Sequence, residues 1–308
     1  MSRRGWVLFL LMGVIWGVPY LLIKVAVEEL SPAALVLART LLAAALLMPI
    51  AAARGHLRPL LRYWRPLLAY TVIEICIPWY LIGFAEQDLS SSLTGMLIAA
   101  VPLVGAVLVR LTGHEVLDPR RVVGLAIGFA GVATLVGFDV GTASVGPVVA
   151  LAVVAFCYAA GPLILARYLS DLPGLGVVAV SLAVSAVIFL PVGGVQWPSE
   201  PVSTQAWLAV FGLAVVCTAI AFLVFFRLIA EVGPARSTVI TYVNPAVALA
   251  LGVLVLDESV GVGTLVGFGL ILAGCVLATA RDRGPRVEPE QRAIDVDASC
   301  LSNPVPEP

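Results

Sequence analysis

The stretch SSLTGMLIAAVPLVGAVLVRLTGHEVLDPRRVVGLAIGFAG, residues 91–131, occurs a second time in altered form as PARSTVITYVNPAVALALGVLVLDESVGVGTLVGFGLILAG, residues 234–274. A shift of 143 positions lays Pro102 on Pro245, Glu115 on Glu258, Gly124 on Gly267 and Gly131 on Gly274, in one register without a gap. Each copy is a hydrophobic span with a central proline, a Glu thirteen residues later, and a shorter span spaced by glycines. Upstream, a shift of 142 lays Trp16 on Tyr158 and Pro49 on Pro191, with an acid at the turn of each copy, Glu29 and Asp171. The chain therefore reads as an internal repeat. Residues 1–139 form the first copy and 140–281 the second. Residues 282–308 are a tail rich in Arg, Glu, Asp and Pro, expected to be disordered and cytoplasmic.

Composition names the solvent. Hydrophobic residues make up 61% of the chain and charged ones 12%, where a soluble domain carries roughly a quarter charged. The expected class is an all-α integral membrane protein. Apolar spans fall at 6–27, 32–52, 66–85, 91–111, 122–138, 145–166, 175–195, 207–229, 235–256 and 262–280. Each is long enough for about 30 Å of hydrocarbon at about 1.5 Å per residue, the fifth only just. None alternates with period two, so an outer-membrane barrel is excluded and helices remain. That gives ten transmembrane helices, five per copy. Arg3 and Arg4 precede the first span, which is too long for a signal h-region and is followed by no small-x-small cleavage site, so a retained anchor is expected.

Several classes fall away. Cys76, Cys157, Cys217 and Cys275 sit inside apolar spans and Cys300 in the tail, which is no disulfide framework. The basic residues form no patch for nucleic acid. Two histidines, His56 and His114, and the lack of HExxH, GxSxG or paired intramembrane aspartates leave no enzyme, metal or cofactor expected.

Sixteen of the eighteen Lys and Arg fall in the segments that are cytoplasmic when the N-terminus is inside, while Glu28, Glu29, Glu86, Asp88, Asp139, Glu200, Asp257 and Glu258 fall on the other side. The positive-inside rule then puts both termini in the cytoplasm of a multi-pass inner-membrane protein. Five spans per copy is an odd number, so the repeats are inverted. Inverted repeats interrupted at matching places point to a secondary transporter with its site near the midplane. The interruptions are Gly17 with Pro19, Pro78, Pro102, Pro162 and Pro245. A proline frees the carbonyl one turn back, which in hydrocarbon needs a partner or a wet cavity; a kink made only for packing is the alternative for any single one.

The Trp16-Gly17 pair, the Ser31-Pro32 turn, Arg39 in the second span and the repeated Pro-to-Glu block resemble the EamA family of the drug/metabolite transporter superfamily, over residues 6–280. The resemblance implies a permease, often an exporter of amino acids or other small metabolites, whose cavity is lined by spans one, three, four, six, eight and nine. It implies no particular substrate.

Lys24, Arg39 and Glu74 are charges inside apolar spans, where each costs about 2.5–3.5 kcal/mol at the bilayer centre on insertion scales, and they are the first functional candidates. Lys24, the only lysine, forms an i, i+4, i+8 stripe with Trp16 and Tyr20. The stripe is expected either to line the outer half of the cavity and hold an anionic or zwitterionic group, or to let Lys24 snorkel or pair with Glu28. Arg39 is expected to bond freed carbonyls or a carboxylate on another span. Glu74 is a candidate proton-coupling group, because burial favours the neutral acid; a structural salt bridge or hydrogen bond is the alternative. The counterparts of these three in the second copy are Ala166, Ser181 and Cys217, so the first copy is expected to supply the site's charge. The second copy offers neutral polar groups, Ser237, Thr241 and Asn244, just before Pro245. Breaks near the site are Pro19, Pro102 and Pro245. Glu115 and Glu258 are expected to cap the helix that follows each of them, or to close its loop. The pairs Gly124/Gly128 and Gly263/Gly267 offer packing within the monomer or a homodimer face.

The expected partners are a small-molecule substrate and the lipid bilayer. The expected function is outward movement of an amino acid or related metabolite by alternating access, coupled to protons. An importer or a nucleotide-sugar or organic-anion exchanger of the same superfamily is the alternative, and a non-transport membrane sensor a more distant one.

Overall fold

The computed structural model describes residues 2–111, 118–137, 145–233 and 238–279. Ser237, Glu115, His114, Asp139 and the tail lie outside the described residues. Among those described the chain is entirely helical, with no strand.

Eight helical runs are long and apolar enough to cross a membrane: Arg3–Val27, Pro32–Ala53, Arg58–Asp88, Ser91–Leu111, Val145–Leu169, Gly174–Val195, Thr204–Val232 and Val262–Thr279. Ile240–Leu256 is a shorter apolar helix. The helix Pro119–Leu135 has 17 residues. Several runs are built of segments. In chain order the α-helices are α1 Arg3–Gly17, α2 Pro19–Val27, α3 Pro32–Ala53, α4 Trp64–Thr71, α5 Ile77–Asp88, α6 Ser91–Ile98, α7 Val101–Leu111 and α8 Pro119–Leu135. The second copy gives α9 Val145–Ile164, α10 Gly174–Val195, α11 Thr204–Phe211, α12 Ala221–Val232, α13 Asn244–Leu256 and α14 Val262–Thr279.

The starts follow local chemistry. Ser31, Ser90, Asp118 and Ser203 each accept a hydrogen bond from a first-turn amide, at 3.2, 3.2, 2.8 and 3.2 Å. Such a cap satisfies one of the amides that no helix can pair internally. Pro19, Pro32 and Pro119 occupy the first helical position, where a missing N–H costs nothing. Pro78, Pro102 and Pro245 likewise sit at the start of a new segment rather than at the centre of a continuous helix. The ninth apolar span is accordingly divided: a 3-10 turn, Thr238–Tyr242, precedes α13.

Two runs contain π-helical segments, Val72–Cys76 between α4 and α5 and Gly212–Ile220 between α11 and α12. The 143-residue shift lays the first inside the second. A third, Leu165–Leu169, extends α9. Segments of this kind are frequent at functional sites.

Packing exchanges the two copies. Helix α3 lies along α10, and α8 along α14, so each helix meets its own counterpart. Helix α1 meets α12 while α5 meets α9, and α1 meets α13 while α7 meets α9. Swapping the copies turns each of these contacts into the other. The glycine spacing is used inside the monomer. A Cβ at Gly131 would lie 2.7 Å from both Gly267 O and Ile271 N, and one at Gly274 would strike the backbone of Gly128 and Gly124. Small residues there let α8 and α14 touch backbone to backbone.

Because the obstacle at Gly131 is backbone, Gly131→Ala is expected to destabilise by about 1–3 kcal/mol, the range for overpacking. Gly269→Ala, whose Cβ would meet nothing within 4 Å, should stay close to wild type. Thermal unfolding of the two purified variants, side by side, checks this.

Candidate functional site

Arg39, in the middle of α3, is only 7% exposed. Its guanidinium carbon lies 3.6 Å from the centroid of the Trp79 ring on α5. Its Nε donates to Thr218 Oγ1 at 3.1 Å, and Thr218 in turn donates to Leu213 O at 2.7 Å. That last bond spans five residues, so one threonine closes the widened turn of the second π segment and receives the buried cation. A guanidinium on an indole face is worth about 2 kcal/mol or more when desolvated. Tyr20 of α2, Tyr158 of α9 and Cys217 lie close enough to Arg39 to interact electrostatically. The Tyr158 hydroxyl also has a hydrogen-bonding contact with the Trp79 side chain.

Glu74 sits in the first π segment. Its Oε2 is buried without a hydrogen-bond partner. The carboxylate lies against the Cα of Gly161 on α9, where a Cβ would overlap it. Tyr70, Cys157 and Tyr158 are its electrostatic neighbours. Gly161 precedes Pro162, whose missing N–H frees the carbonyl of Tyr158. A carboxyl, an arginine, three phenols, an indole and a threonine thus gather about Tyr158 where α2, α3, α4, the first π segment and α5 of the first copy meet α9 and the α11–α12 run of the second. Both charges come from the first copy, and the second supplies neutral groups.

Most of the other candidates go elsewhere. The break at Val18 divides the first span, and the stripe of Trp16, Tyr20 and Lys24 is split among three surroundings. Trp16 packs on Phe222 and Phe225 of α12, with ring centroids at 6.0 and 4.8 Å. Tyr20 stays with the Arg39 cluster and also touches the Gly95 surface of α6. Lys24 does not pair with Glu28; its Nζ donates to Glu86 O at 2.6 Å and Leu89 O at 3.0 Å, carbonyls left open at the C-terminus of α5. Asn244, with its amide nitrogen turned toward the carbonyls, donates to Ile240 O at 2.9 Å and Gly13 O at 3.2 Å, tying α13 to α1. Thr241 is exposed.

Glu258 serves a different helix from the one expected. Its Oε1 and Oε2 accept the amides of Ser91 at 2.7 Å and Ser92 at 2.9 Å, so it caps α6, in the other copy, and not α14. Nearby, Glu29 accepts the amide of Ser203 at 2.7 Å and Ser31 donates to Gln196 O at 3.3 Å. Burial opposes ionisation of Glu258, but the Ser92 and Ser91 donors outweigh it and hold the carboxyl below its ordinary value. Ser203, through side chain and backbone, does the same for Glu29. The four cysteines of the described residues are free and buried. A groove of about 580 Å³ lined by Leu41, Leu42, Trp197, Trp207 and Phe211 is apolar and does not include any of the charged residues above.

Trp79, Tyr158 and Thr218 are residues that sequence reasoning missed. Tyr158 was visible only as the counterpart of Trp16, and nothing in the sequence singled out Trp79 or Thr218.

This all-helical, multi-pass architecture, with two copies packed reciprocally around a buried polar cluster, is that of a membrane transporter. Residues 3–137 and 146–280 each match the EamA-like transporter family, to which the chain belongs. It is 31% identical over 278 residues, 86% of this chain and 87% of the other, to a protein of Escherichia coli strain K12 named an uncharacterized inner membrane transporter, YedA. It is 28% identical over 296 residues, 94% and 97% of the two chains, to one of Streptantibioticus cattleyicolor named a probable terminal-alkyne amino-acid exporter. A solved crystal structure shares the fold at a TM-score of 0.65 and 20% identity, covering 91% of this chain and 97% of the other.

Three outcomes follow. Thr218→Val leaves the Arg39 Nε without its acceptor and is expected to cost about 1.5–3 kcal/mol in thermal unfolding, the range for a bond to a charged group. Arg39→Lys should not rescue function, because an ammonium cannot stack and fork as a guanidinium does. For Glu258 the folded carboxyl titrates below the unfolded one. Its contribution is full above the ordinary carboxylate range and falls away as pH drops through the depressed value. A melting-temperature series in acid should therefore be flatter for Glu258→Gln than for wild type.

Proposed function

We propose that the chain is a carrier of ten spans in two inverted five-helix repeats, with both termini cytoplasmic. It moves a small metabolite, an amino acid or related compound, outward across the cytoplasmic membrane by alternating access, coupled to protons through Glu74. The reciprocal packing of α1 on α12 and α5 on α9 supports two related halves that can rock against each other. This reading takes the shorter helices Pro119–Leu135 and Ile240–Leu256 as the two further spans.

The observation that carries the reading is the unpartnered Oε2 of Glu74 against Gly161. It stands at the boundary between halves, against the residue that precedes Pro162, whose missing N–H frees the Tyr158 carbonyl one turn back on α9. As a neutral acid, Glu74 can donate to that carbonyl and hold α9 against the first π segment. Once ionised it repels the carbonyl and offers its charge to a substrate ammonium. Arg39, stacked on Trp79 and bonded to Thr218, completes the polar lining and can meet a carboxylate at its remaining N–H groups. A carboxylate and a guanidinium among aromatics suit a zwitterion, which agrees with the amino-acid exporter among the relatives. The organic-anion alternative has less support. Lys24 is committed to two carbonyls, leaving Arg39 as the cation of this cluster.

The test compares solutes released by cells making wild type or Glu74→Gln at matched levels, with and without a proton uncoupler. Export of an amino acid that both the variant and the uncoupler abolish is expected. Undiminished export by Glu74→Gln would remove the coupling role.

A further inference from the structure

A second carboxyl is buried without a partner, and the mechanism above does not use it. Glu86, in the last turn of α5, is 0% exposed, and neither of its side-chain oxygens has a hydrogen-bond partner. Around the adjoining start of α6, the hydroxyls of Ser91, Ser92 and Thr94 are also buried; those of Ser91 and Ser92 serve Glu258, and that of Thr94 has no partner. Two clamps flank the place. Lys24 of α2 holds the carbonyls of Glu86 and Leu89, and Glu258, beyond α13, holds the amides of Ser91 and Ser92. Together they join α2, α5, α6 and the α13–α14 turn at one end of the bundle and leave Glu86 without solvent exposure. Gly252 of α13 seals it further, since a Cβ there would strike both Glu258 Oε2 and Ser92 Oγ.

Charge balance makes this arrangement informative. The charged groups bearing on Glu86 are Lys24 and Glu258, and the buried phenol of Tyr20 on α2 also lies close enough to interact with it. Asp88, Glu28 and Glu29 of the same end are exposed to solvent. Helix α3, also packed on α5, carries Arg39 as its buried charge, already placed against Trp79 and Thr218. Glu258 is anionic, held so by its amide donors. Were Glu86 anionic too, one ammonium would face two carboxylates, one of them Glu86, fully buried and with no hydrogen-bond donor of its own, and an unpaired buried ion costs several kcal/mol. One more positive charge balances the cluster. With Ser91 and Ser92 given to Glu258, the buried Thr94 hydroxyl is the neutral group left at this end, and a hydroxyl can accept a hydrogen bond from a carboxylic acid.

We propose that Glu86 is a binding site for one exchangeable proton, and that this end of the bundle closes only when the proton is bound. Opening parts the Lys24 and Glu258 clamps, admits water and lets Glu86 ionise. Closing requires the proton to return. Under the orientation proposed above this is the outer end, so the carrier takes up a proton from outside before it can turn inward. The site is separate from Glu74 and does not depend on the role given to that residue.

The experiment places nitroxide labels at Gln87→Cys and Ser259→Cys, across this end, in the full chain with Cys300→Ser, in lipid nanodiscs with choline chloride. Distances are read by pulsed electron paramagnetic resonance from about pH 5 to about pH 9, a range spanning ordinary and buried carboxyls. The label pair should give one short distance in acid and gain a longer population in base. Adding Glu86→Gln should keep the short distance at every pH, adding Glu86→Asp should restore the pH response, and adding Glu74→Gln should leave it unchanged. The proposal is overturned if the pair with native Glu86 shows no pH response, or if Glu86→Gln responds as native Glu86 does. If the Gln variant does not fold, Glu86→Asp decides in its place: a shifted midpoint of the distance change is expected, and a midpoint identical to that of native Glu86 overturns the proposal. Sodium in place of choline restoring the short distance in base would show the bound charge to be a metal ion, which also overturns it.

Discussion

Backbone amides and carbonyls that a broken helix leaves open have no water to turn to in hydrocarbon, and this architecture depends on answering each of them. The answers come across the bundle from distant parts of the chain. Lys24 takes the last carbonyls of α5, Glu258 takes the first amides of α6, Asn244 takes Gly13 O, and Cys275 donates to Ala99 O at 3.3 Å just ahead of Pro102. Three of these four links join one copy to the other. Breaks that would be liabilities in a lone helix thus become the places where the copies hold each other.

The same constraint explains where polar side chains gather. A π segment displaces a turn of helix and leaves its hydrogen bonding loose, and Thr218 closes one such turn with its hydroxyl while receiving Arg39. Glu74 occupies the corresponding segment of the first copy without an equivalent bond at Oε2. One copy uses its segment to fix a cation, and the other uses it to present a carboxyl. The asymmetry was visible in residue types, Glu74 against Cys217, but not in the backbone feature that the two positions share.

Residue by residue, legibility followed whether a signal was periodic or chemically costly. Arg39 and Glu74 stood out because a charge in an apolar span is expensive. Gly131 and Gly274 stood out because the repeat carried them twice. Trp79 and Thr218 did not, since an indole or a hydroxyl among Leu, Val and Ala breaks no pattern and costs little to bury when bonded. Glu258 was seen as a cap, but its helix was misassigned. Nearness in sequence favours α14, and only the reciprocal packing brings α6 within reach.

What the sequence by itself determined is the solvent, the helices and the two-copy plan, because these depend on composition, span length and a repeat register that survive without any knowledge of neighbours. Tertiary structure decided which helices meet, and with that the role of each polar group. It turned Lys24 from a cavity candidate into a clamp on α5, placed Glu74 against Gly161, and enclosed Glu86 between two clamps. The physical reason is that an unmet hydrogen bond or charge announces only that a partner is needed. Which partner comes is settled by packing at distances of a few ångströms between residues far apart in the chain.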